Sequence, residues 1–201
     1  MKKAIVIVLA FIFSISLSSQ VLAVEVIGEL TYWESNVNHI SSFISTVPDT
    51  YSSTLGSYDL NTLKSQVSSA RNQWNTAGIP CNITTSESNA EIKVYGGSLS
   101  EIQSVYPSYL PGYAGLTINY TIQQPGVFLY NGTYKNYYKI TTATVYIKTG
   151  LTYPLNVVAH ELGHSVGWGG HITTSGNVMY GTESSTATLT IRDKRHLSQI
   201  H

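Results

Sequence analysis

Charge is scarce in this chain. Only 11% of its 201 residues are charged, eleven basic against eleven acidic. With no basic excess there is no electrostatic footprint for phosphates, which argues against nucleic acid as a partner. Cysteine is almost missing too. Cys81 stands alone, so no internal disulfide can form and the fold must rest on its core. Residues 97–159 hold no His, no Asp and one acid, Glu101, which leaves that stretch without the carboxylates of a tight calcium site. Long apolar runs are absent beyond residues 4–15, a run too short for a comfortable membrane span. Lys2 and Lys3 precede it and Val21-Leu22-Ala23 follows, the pattern of a secretory signal peptide over residues 1–23 cleaved before Val24. The mature chain, 24–201, then carries nine basic and eleven acidic side chains and is long enough to bury a core. What it has in plenty is Tyr, Ser, Thr and Asn, a composition suited to β-structure.

The stretch richest in chemistry is residues 160–171, HELGHSVGWGGH. On a helix, His160 and His164 are about one turn apart on one face, so both imidazoles can grip one metal ion. Glu161 follows the first His directly and cannot share its direction. It sits beside the metal, where a general base for a bound water belongs. Gly167 can take a positive φ at no steric cost, ending the helix and letting His171 return as a third ligand. Three protein ligands leave a fourth tetrahedral position open, the pattern of a catalytic zinc rather than a structural one. Eight residues beyond His171 comes Met179, within Asn177-Val178-Met179-Tyr180.

With that methionine in place, the chain resembles the metzincin metallopeptidases, and most closely the matrixins. The resemblance implies an α+β fold of the metzincin type. A twisted mixed sheet, two long helices and a small C-terminal subdomain ending in a helix are expected. It also implies one catalytic Zn²⁺ on His160, His164 and His171, with Glu161 as general base for peptide-bond hydrolysis. Met179 would floor the site without binding metal, and Tyr180 would line the pocket wall. Residues Ala114, Gly115, Leu116 and Thr117 would form the edge strand with which an extended polypeptide substrate pairs. Matrixins carry a second, structural zinc before the active-site helix; the dearth of His and Asp over 97–159 predicts none here. Cys81, in Ile-Pro-Cys-Asn, reads as a small buried hydrophobe rather than a latency switch. Ile172 and Gly181 depart from the matrixin pattern. The expected product is a secreted, monomeric endopeptidase, free of the membrane once the leader is gone. The rival reading is a secreted zinc-containing binding module without turnover.

The rest of the chain reads less sharply. Residues 24–57 form an N-terminal segment of unclear role, ambiguous between helix and strand at 31–33, ahead of a catalytic domain over 58–201. Leu60, Leu63, Val67, Ala70 and Trp74 predict a helix over 60–77, capped by Asp59 and stopped by Gly78 and Pro80. Alternation predicts a strand over 89–95. Residues 96–126 look loop-rich, with one strand near 113–120. Asn131-Gly132 between 127–130 and 133–140 signals a hairpin, and 141–148 reads as a further strand. The active-site helix is expected over 154–166, with Leu155, Val158, Leu162 and Val166 toward the core. Thr190 and Asp193 form a capping pair for a last helix. His39, His196 and His201 are expected at the surface.

Overall fold

The computed structural model describes residues 31–33, 48–130, 133–168, 170–172 and 174–197, with backbone alone for 31–33, 121–139 and 195–197. The expected leader, His39, His201 and the Asn131-Gly132 turn lie outside these residues, and His196 is described by its backbone only. The elements run β1 (Thr31–Trp33), β2 (Asp49–Thr54), α1 (Leu60–Thr76), β3 (Asn82–Ile83), β4 (Ile92–Gly97), α2 (Leu99–Val105), β5 (Gly115–Tyr130), β6 (Thr133–Lys148), α3 (Pro154–Ser165) and α4 (Ile191–Leu197). They form one mixed six-stranded sheet in an α+β arrangement. β6, β4, β2 and β3 pair in parallel, β1 adds in parallel to the first half of β6, and β5 returns antiparallel to β6. Among the described residues β5 pairs with no other strand, so its outer edge is free. No helix among them is long and apolar enough to cross a membrane.

Two helices and one sheet face make the core. Leu63, Val67, Ala70 and Trp74 form the buried face of α1, at the spacing that keeps one stripe inward. They meet Ile92 and Val94 of β4, Ala143, Val145 and Ile147 of β6, and Val158 and Leu162 of α3. Each fully buried large side chain contributes roughly 1.5–3 kcal/mol. Trp74 adds a polar bolt, its indole N–H donating to the Ala159 carbonyl at 2.9 Å. Asp59 caps α1 by accepting from the Thr62 amide at 2.7 Å, and Gly78 leaves the helix at φ +85°. A smaller cluster of Ile102, Tyr109 and Tyr146 holds the other part of the sheet, joined by Leu116 and Ile118. Cys81 is 3% exposed, and burial pushes its thiol up to about 12.

Three elements differ from the sequence reading. Residues 49–54, read only as part of an N-terminal segment of unclear role, form β2, which lies between β4 and β3. The loop-rich stretch holds α2, fixed by a full capping box in which Ser98 and Glu101 exchange side-chain and backbone bonds. Residues 133–148 form one strand rather than two. Its partner β5 runs through Pro125 because the register slips between Gln124 and Val127, where an irregularity absorbs a residue with no N–H to donate.

Candidate metal centre

Helix α3 carries the first two histidines. Pro154 at its first position fits a place where no amide donor is needed. His160 and His164 lie one turn apart, their Nε2 atoms 3.0 Å from each other. Gly167, at φ +112°, turns the chain, and His171 returns with its Nε2 3.3 Å from that of His164. One donor atom from each ring lies within 4.8 Å of the others. Four ligands at about 2.0–2.1 Å around a tetrahedral zinc stand roughly 3.3–3.4 Å apart, so the set fits such an ion with small adjustment. The far side of two rings is fixed as well. His160 Nδ1 meets the Val178 carbonyl at 2.8 Å and His164 Nδ1 meets the Trp168 carbonyl at 2.9 Å. A carbonyl can only accept, so each Nδ1 carries the proton and each Nε2 is left with a lone pair for metal. Burial drops His160 to about 4 and lowers His171 below its ordinary value, keeping both rings neutral as ligands must be.

Beside this triad lies a buried acid. Glu161 is 6% exposed, and desolvation raises its carboxyl to about 7, opposed by a hydrogen bond from Thr117. The Thr117 hydroxyl lies 2.7 Å from Glu161 Oε2 and 2.9 Å from the Glu161 carbonyl oxygen. Gly115 makes the room. A Cβ there would stand 2.6 Å from Glu161 Cγ and 2.9 Å from Val157 Cγ1. Beneath the helix, Met179 is fully buried, and a Cβ on Gly163 would stand 2.5 Å from its Sδ. Met179 and Trp74 thus both pack close against Gly163 of α3.

The Met179 segment is tied to the helix that follows. Asp193, fully buried, accepts from the amides of Val178 at 3.1 Å, Met179 at 2.9 Å and Thr190 at 2.7 Å. The expected Thr190–Asp193 cap is therefore present, and its carboxylate also holds the turn whose Val178 carbonyl orients His160. Sequence reading missed that second task, because nothing in the local pattern joins residue 193 to residue 178. The amide of Ile172 donates to the Met179 carbonyl at 2.7 Å, closing the loop that returns His171.

A cleft of about 660 Å³ opens over the triad. Residues 112–117 form one wall, Tyr180 to Glu183 form another, and the three histidines and Glu161 lie in its lining. The four residues expected to form a substrate edge divide into two sets. The Lys148 amide donates to the Ala114 carbonyl, so Ala114 and, by alternation, Leu116 turn their main-chain groups toward β6. Gly115 and Thr117 turn theirs to the free edge. Leu116 packs into the smaller cluster, whereas Thr117 and Asn119 reach α3 through Glu161 and the His164 carbonyl. No protein-family profile and no curated protein matches this chain.

Proposed function

We propose that this chain is an exported zinc-dependent endopeptidase of the metzincin type, most like a matrixin catalytic domain. The reading is carried by one observation: three imidazole nitrogens, two of them on rings whose tautomer a carbonyl fixes, converge beside a buried carboxyl in an open cleft. His160, His164 and His171 would hold the ion. When bound, zinc supplies Lewis acidity toward a water molecule and a peptide carbonyl. Glu161 takes a proton from the attacking water as its oxygen bonds the carbonyl carbon. The same carboxyl gives that proton to the leaving amine nitrogen as the C–N bond breaks. The outward main-chain groups of Gly115 and Thr117 would pair with an extended polypeptide, and Tyr180 would bound the pocket on the far wall. The leader supports export, and the lack of a basic excess speaks against nucleic acid as a partner; a monomer acting on polypeptides, free of the membrane, completes the reading.

The rival, a zinc-containing binding module without turnover, gains no support from a site that keeps its base. Purified residues 24–201 digesting a peptide library, with and without a zinc chelator, test the reading directly. Glu161→Ala is expected to keep about one zinc per chain while the peptidase rate falls at least ~100-fold. An equally active Glu161→Ala would remove Glu161 from the mechanism, and chelator-insensitive cleavage would remove the metal.

A further inference from the structure

The hydroxyl of Thr117 stands between two oxygens of the same residue, the carboxylate and the main-chain carbonyl of Glu161. It has one proton and cannot donate to both at once. A hydroxyl within hydrogen-bond reach of both ties the carboxylate and the main chain of Glu161 to the same point on β5. The Cγ and the other carboxylate oxygen, Oε1, lie over Gly115, where a Cβ would stand 2.6 and 2.8 Å from them. Two residues on, Asn119 donates to the His164 carbonyl at 2.8 Å, fixing the same strand against the same helix one turn later.

We propose that Thr117 is a positioning residue, holding the Glu161 carboxyl in one orientation over the cleft. The inference rests on the peptidase reading and adds to it a task separate from the pairing of substrate with the edge. The pairing uses the Thr117 main chain; the clamp uses its hydroxyl. Substitution by valine separates them, because Thr117→Val keeps the backbone groups, the branched shape and the strand preference.

The test compares the parent, Thr117→Val and Thr117→Ser as zinc-loaded chains on one long peptide, with zinc content and thermal unfolding measured alongside. Thr117→Val is expected to lose roughly 10- to 100-fold in kcat, the scale of a misplaced reacting group, with KM and zinc content unchanged. Thr117→Ser, which restores the hydroxyl, is expected to recover most of that loss. An unchanged kcat, a rise confined to KM, loss of zinc, or no recovery in a folded serine variant would each overturn the clamp. Crystal structures of the parent and Thr117→Val give a readout independent of turnover. The Glu161 carboxyl is expected to leave its parent position in the valine variant, and finding it unmoved would overturn the proposal. A parent that cleaves no peptide would instead refute the peptidase reading, leaving the crystallographic comparison to decide the clamp.

Discussion

Glu161 is buried and its neighbour His160 half-buried, and desolvation moves their protonation in opposite senses. The Glu161 carboxyl, near 4.5 when free, rises to about 7 in the fold, while His160 falls from 6.5 to about 4. In the metal-free chain the folded state therefore holds the Glu161 proton more tightly than the unfolded state does. That contribution is fully present below pH 4.5 and is lost as pH rises through 7. For His160 the folded state binds fewer protons, so its contribution favours folding above 6.5 and is lost as pH falls toward 4. Glu161→Gln removes the first effect and leaves the second. Metal-free Glu161→Gln is thus expected to gain Tm over the metal-free parent as pH rises from about 5 to 8. A Tm difference constant across that range would mean the carboxyl is not buried as described. At this scale the convergence of the three histidines was legible, because spacing on a helix dictates which side chains can meet. The contact of Thr117 with Glu161 was not, since a hydroxyl 44 residues away in sequence leaves no local mark.

Among the elements, the last helix and the Met179 turn behave as one unit. Asp193 serves three amides from two segments, so removing its carboxylate strands buried donors at both ends. Asp193→Ala is expected to cost roughly 3 kcal/mol or more in urea unfolding. It should also weaken zinc binding about 10- to 100-fold, because the Val178 carbonyl that aims His160 loses its anchor. Parent-like stability together with parent-like zinc affinity would dissolve the link. Helices α1 and α3 were readable from their apolar stripes, and the antiparallel pairing of β5 with β6 from Asn131-Gly132. Two other elements were hidden for physical reasons. α2 buries one apolar side chain, Ile102, so it has no stripe to read and shows only its Ser98–Glu101 cap. β2 alternates, but its inward positions are Thr50 and Ser52, which hydropathy does not register as core.

The whole molecule is held without a disulfide, and its sole thiol is buried. A metal held by the three histidines would join α3 to the loop that returns His171. Zinc at about 100 times its Kd is expected to stabilise the folded chain by roughly 2.7 kcal/mol. Calorimetry should show a Tm that rises with zinc, falls with chelator, and ignores reducing agent. Elemental analysis of the loaded chain should give one zinc; two would reveal a site outside the triad.

Two of the three imidazoles are aimed by main-chain carbonyls, those of Val178 and Trp168. Such oxygens belong to every amino acid, so no substitution at either position deletes them. A mutational scan would read only packing there, since both side chains are buried. Selection acting on single residues therefore has no direct hold on the aim of these rings. It can alter that aim only by reshaping the path of the chain.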